Sequence, residues 1–180
     1  TTSVTTGNFE AGKTYTATFT LQPAANSNVT IDSSADITVD GVDANYTAST
    51  NTVSVDFSIG AKTTISTVSL SIASAPAGGA GAPAITVSSS DQNYSNLSTP
   101  VTTWKKKGET TAVTSGTNLA YDTEYVATVE LSIKSDKTAT HEFANAVVVT
   151  KPTGTTDTEN PKAVIPANGK VTLDITFKTA

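Results

Sequence analysis

The sequence predicts an all-β protein made of Greek-key sandwich modules, and three observations carry that reading. Serine and threonine together fill 55 of 180 positions, 19 Ser and 36 Thr. Threonine is β-branched and suits a pleated, half-solvated surface. Apolar and polar residues alternate at period two in stretch after stretch, the mark of a strand with one buried face. No stretch sustains the 3.6-residue period of an amphipathic helix.

Each element can be justified in turn. From Lys13 to Leu21, Tyr15, Ala17, Phe19 and Leu21 share one face while Thr14, Thr16, Thr18 and Thr20 share the other. Short runs follow at Ile37 to Val39, Ala44 to Ala48 and Thr52 to Ile59, then at Ile65 to Ala73, Ala84 to Ser88 and Pro100 to Trp104. Tyr125, Ala127, Val129 and Leu131 alternate with Glu124, Thr128 and Glu130, and runs at Phe143 to Val149 and Lys170 to Phe177 close the chain. Turn signals separate these runs: Asp40-Gly41, the glycine- and proline-rich Pro76 to Pro83, Lys106 to Glu109, and Asn168 to Lys170.

One phrase is written twice. Tyr15, Ala17, Thr18 and Leu21 return 110 positions later as Tyr125, Ala127, Thr128 and Leu131. Val53, Val55, Asp56 and Ile59 return as Val171, Leu173, Asp174 and Phe177 at an offset of 118, so the second copy carries about eight extra residues, expected within Lys151 to Gly169. Three strands precede the second copy of the phrase, but only a few residues precede the first. The chain therefore divides into a whole module at 63–180 and a partial or small module at 1–62. Three forms fit the short module: a repeat cut internally, a smaller closed fold, or a fold completed by a strand from another chain.

Composition narrows the function. Cysteine, methionine and arginine are absent, and 16 acids stand against 11 lysines for a net charge of −5. Nucleic-acid binding is not expected, because there is no basic face to neutralise phosphate and no guanidinium for bidentate readout. No apolar run approaches the 18 residues of a membrane-spanning helix. The chain opens on Thr1 rather than Met and shows no signal peptide, as expected of a mature product or excised fragment. Freedom from oxidisable residues fits an extracellular or cell-surface location.

The motif order of the second module is familiar. A strand leads to Ala75-Pro76 and Gly78, a further strand ends in Val101 to Trp104, and then Ala120, Thr123, Tyr125, Ala127, Thr128, Val129 and Leu131 follow. This series resembles the immunoglobulin-like repeats found in tandem in surface and cell-wall proteins of Gram-positive bacteria. The resemblance covers about 118 residues well and 7–60 in part. It departs after Leu131, where Lys134 to Phe143 replaces the family's usual turn. It implies an immunoglobulin-like sandwich and a non-catalytic role in spacing, adhesion or carbohydrate binding.

Candidate ligand-binding residues are few. Trp104, followed by Lys105, Lys106 and Lys107, has the makings of a sugar-stacking aromatic flanked by amines; the opposing reading places Trp104 in the core, as in immunoglobulin-like sandwiches. Tyr94, Tyr121 and Tyr46 stand in or near loops and offer an aromatic platform if folding gathers them. Tyr15 and Tyr125 are read as core. Asp32, Asp36, Asp40 and Asp43 are oxygen ligands in principle, but their spacing is not that of the twelve-residue calcium loop, and solvated loop acids are expected instead. His141 is the one histidine, no cysteine nucleophile exists and no nucleophile-elbow motif occurs, so neither an enzyme nor a cofactor or metal protein is expected.

Two functions follow. The first is an extracellular, non-catalytic carbohydrate-binding or adhesion module of a bacterial surface or polysaccharide-degrading system, its partner a polysaccharide or cell-surface glycan and its site Trp104, Lys105, Lys106, Tyr94 and Tyr121. The second is a structural spacer, S-layer-like element or filament subunit joined to neighbouring copies by strand complementation. Neither involves nucleic acid or membrane insertion.

Overall fold

A computed structural model of the chain describes residues 7–26, 28–159 and 161–180. The chain forms two compact units, Thr1–Lys62 and Thr63–Ala180, of which 1–6 and Ser27 in the first and Asn160 in the second lie outside the described residues. Apart from one 3-10 turn at Ser135–Lys137, every regular element among the described residues is a strand. No helix of the described residues is long and apolar enough to cross a membrane.

The smaller unit is a four-stranded antiparallel sheet. Its strands are β1 (Thr14–Thr20), β2 (Ile37–Val39), β3 (Val42–Thr47) and β4 (Thr52–Ser58), in the order β1-β4-β3-β2. The Asp40-Gly41 signal becomes the tight turn between β2 and β3, where both residues hold positive φ, 51° and 78°. Among the described residues of this unit only Val53 and Val55 are buried apolar residues, whereas Phe9, Phe19, Val29 and Val42 are exposed. Phe9 nevertheless packs against Tyr15 and Phe57 of that sheet, with ring centroids 4.8 and 5.3 Å away.

The larger unit has seven strands: β5 (Thr63–Ile72), β6 (Ile85–Val87), β7 (Val101–Lys106), β8 (Glu124–Ser132), β9 (His141–Thr150), β10 (Lys162–Val164) and β11 (Lys170–Lys178). They form a four-stranded sheet, β10-β9-β5-β6, and a three-stranded sheet, β11-β8-β7. All pairs are antiparallel except β5 with β9. Ile65, Val68, Ile85, Val147 and Val149 from one sheet and Trp104, Val129, Leu131, Ile175 and Phe177 from the other belong to one buried cluster. The arrangement is consistent with a β-sandwich, and each fully buried aliphatic side chain contributes about 1.5–3 kcal/mol.

Strand order departs from the expected immunoglobulin pattern. A constant-type domain also splits seven strands four and three, but its fourth strand lies in the larger sheet and its sixth in the smaller. Here the fourth strand, β8, lies in the smaller sheet and the sixth, β10, in the larger. The first strand, β5, is central and pairs in parallel with the fifth, β9.

The repeated phrase has a clear structural counterpart. β1 pairs with β4 as β8 pairs with β11, each ladder antiparallel. Tyr15 stands opposite Phe57 and Tyr125 opposite Phe177; Ala17 stands opposite Val55 and Ala127 opposite Ile175. This register corrects the sequence alignment of the second strands. Phe57 is the counterpart of Phe177, so the offset there is 120 rather than 118, and the extra length ten residues rather than eight. The hairpin between those strands also repeats, β2 with β3 and β9 with β10. Its fate differs: β9 joins β5 in the second sheet, while β3 attaches to β4 in a unit that has one sheet among its described residues.

Candidate functional site

Trp104 is in the core. It sits on β7 opposite Ala127, the smallest side chain on the inner face of β8, which leaves room for an indole. Its ring lies 5.3 Å from that of Phe177, and only 5% of the residue is exposed. The indole N–H donates to the Pro83 carbonyl at 3.2 Å, which satisfies its polar handle. The expected stacking face is therefore covered. A depression of about 450 Å³ borders Trp104, lined by Pro83, Ala84, Thr102, Val113 and Thr117 among others, and its lining holds no charged side chain. Thr102 Oγ1 at its edge is buried without a hydrogen-bond partner among the described residues.

The lysines after Trp104 serve the end of the strand. Lys105 is half-buried and pairs across the ladder with Val126. Lys106 lies 3.7 Å from Glu109, and Lys107 donates to Glu124 at 3.0 Å. Both pairs are exposed, so each contributes at most about 1 kcal/mol.

The loop tyrosines are not gathered into a platform. Tyr121 is 72% exposed, yet its inner side rests on the Gly78-Gly79 turn so closely that a Cβ at Gly78 would meet its ring at 2.3 Å. Glycine is required there for that approach. Tyr94 is 52% exposed and borders a depression of about 150 Å³ with Thr86, Leu97 and Lys134. Tyr121 precedes β8, whereas Leu97 bridges Ile133 just beyond its other end. Nine residues of strand at 3.3–3.4 Å each hold the two ends about 27 Å apart. Tyr46, in the smaller unit, donates its hydroxyl to Asn51 at 2.7 Å.

The acids do not assemble a metal site. Among the described residues no three His, Asp or Glu side chains are placed to share an ion. The Asp32 carboxylate instead accepts from the hydroxyl and the N–H of Ser34, and these bonds hold its pKa below the ordinary value. His141 hydrogen-bonds the neighbouring Thr140 hydroxyl.

Sequence reasoning missed two structural devices. The first is a tyrosine corner: the Tyr125 hydroxyl accepts from the Ala120 N–H at 2.9 Å, and the Tyr15 hydroxyl accepts from the Glu10 N–H at 2.8 Å. Both run five residues back, and the turn between carries positive φ at equivalent positions, Gly12 at 72° and Asp122 at 47°. The second is an ion pair between Lys151, whose side chain is 1% exposed, and Asp157 at 3.6 Å. Asp157 also accepts from the Thr176 N–H, tying the 155–157 segment along the outer edge of β11.

Burial pushes the Asp157 carboxyl up, but the Thr176 N–H and the Lys151 ammonium outweigh it and leave the pKa below 3.8. A depressed folded pKa stabilises the fold fully above the unfolded value, and that contribution is lost as pH falls through the folded one. Urea midpoints are therefore expected to hold between pH 7 and about 5 and to drop below about 4, with a smaller drop in Asp157→Asn. An equal acid drop in the variant would assign the transition to other carboxylates. No family model matches the chain, and neither a curated protein nor a solved structure is detectably similar to it.

Proposed function

We infer that the chain is a non-catalytic structural segment of an extracellular surface protein, built from two related β modules in tandem. The larger module is immunoglobulin-like in strand number, though not in strand order, and both modules carry the tyrosine corner. The observation that carries the reading is the repeated two-strand unit, β1 with β4 and β8 with β11, each locked by the same tyrosine-to-backbone bond. A unit repeated at a spacing of 110 residues marks an array of domains rather than a solenoid. The one tryptophan is engaged in packing, which removes the best anchor for a glycan.

Affinity electrophoresis through gels containing a panel of soluble plant and microbial polysaccharides tests the reading. Unretarded migration in every gel is expected, and retardation by one polymer would overturn it. Tyr94 beside Lys134 keeps carbohydrate binding as the second reading, because an exposed aromatic and hydroxyls there border the same depression. Retardation abolished by Tyr94→Ala would establish that second reading.

A further inference from the structure

The first and last strands of the larger unit run the same way and meet its opposite ends. Thr63, at the start of β5, donates its N–H to Thr140, just before β9. Two successive turns, closed by Lys137 N–H to Lys134 and Thr140 N–H to Lys137, lead back from there to the end of β8. There Ser132 pairs with Lys170, the first residue of β11. At the other end Ser69 of β5 pairs with Thr150, the last residue of β9, and Thr155 a little further on bridges Phe177 of β11. Gly78, beyond the end of β5, donates to Ala180, beyond the end of β11. Strands of this length, at 3.3–3.4 Å per residue, place Thr63 and Lys178 about 30 Å apart.

Both strands are held along their length. β5 lies between two neighbours: Thr63–Ile65 and Thr67–Ser69 pair with β9, and Leu70–Ile72 with β6. Its Ile65, Val68 and Leu70 enter the core. β11 pairs with β8 without interruption from Lys170 to Lys178 and sets Val171, Leu173, Ile175 and Phe177 into the same core. Its outer edge is also tied near Lys178. Thr156 N–H donates to the Thr176 carbonyl, and Thr176 N–H donates to the Asp157 carboxylate that pairs with Lys151.

The direction of a pull decides how such ladders break. Ladder hydrogen bonds run across the strands. Drawing Thr63 and Lys178 away from each other drags β5 and β11 lengthwise past their neighbours, so the bonds of a ladder are strained together. Drawing Thr63 away from the adjacent start of β9 opens the β5–β9 ladder one pair at a time.

We propose that the larger unit is a tension-bearing module: force that enters at Thr63 and leaves at Lys178 strains the β5 and β11 ladders in shear, and the unit resists extension along that axis. Only Ile59 to Lys62 separate β4 from β5, so little slack precedes a pull on Thr63. The proposal rests on the tandem-array reading above, in which tension passes from module to module. It fails separately, because polysaccharide retardation overturns that reading and leaves the direction of resistance untouched.

Single-molecule force spectroscopy on the intact chain is the test. The sequence has no cysteine, so introduced pairs of cysteines fix where force is applied. Lys62→Cys with Ala180→Cys pulls along the axis, and Lys62→Cys with Ala139→Cys peels β5 from β9; Ala139 and Ala180 are both exposed. At one loading rate the first pair is expected to rupture at a force at least about twofold higher, since several bonds must break in one step. Urea midpoints of the two untethered variants are expected to match, which leaves direction as the difference between them. Equal forces, or a higher force between 62 and 139, overturn the proposal, because resistance would then follow general stability rather than strand direction. If Lys62→Cys lowers the urea midpoint, the exposed Thr63 carries the common tether, with the same two outcomes.

Discussion

Replacing Trp104 with alanine is expected to lower the stability of the larger unit by about 3–5 kcal/mol. The indole is enclosed, stacks obliquely on Phe177 and bonds Pro83 through its N–H. Its removal leaves a cavity on the inner face of the β11-β8-β7 sheet and strips Phe177 of its cover, and Ala127 opposite is too small to fill the gap. Urea unfolding followed by far-ultraviolet circular dichroism measures the loss. A change below about 1 kcal/mol would mean that the indole lies outside the core, as a surface anchor would.

Tyr125→Phe is expected to cost about 2 kcal/mol, because the Ala120 N–H then loses its acceptor in a part-buried turn. Tyr15→Phe breaks the same bond in the smaller unit, where the surroundings are exposed and water replaces the hydroxyl. Its cost should be below about 1 kcal/mol. The pair of variants separates geometry, which the two corners share, from burial, which they do not. Equal costs would show that both corners are equally enclosed and that the smaller unit is already covered.

Local pattern made much of the fold readable. Alternation from Lys13 to Leu21 and from Tyr125 to Leu131 fixed which side chains turn inward, because strand geometry allows only two faces. The offset of 110 was visible since Tyr, Ala, Thr and Leu recur in one phrase. The offset of the second strand was misread by two residues, for a physical reason: a slip of two keeps every side chain on its face, so Val171 and Leu173 match Val53 and Val55 as well as the true partners do. Pairing of β5 with β9 was illegible, because it joins residues far apart in sequence and leaves no local mark. Trp104 was ambiguous because three lysines follow it. The decisive signal was Ala127 across the ladder, which only the register reveals.

Amide hydrogen exchange on the intact chain tests the central claim most directly. Because β1 has no second neighbour among the described residues, the amides of Thr16, Thr18 and Thr20 are expected to exchange close to the rate of an unstructured chain, while their counterparts Val126, Thr128 and Glu130 are strongly protected by pairing with β7. The odd-numbered amides of β1, bonded to β4, should lie between these extremes. Protection of the three threonine amides equal to that of Val126, Thr128 and Glu130 would mean that the edge is already filled, and would contradict the account.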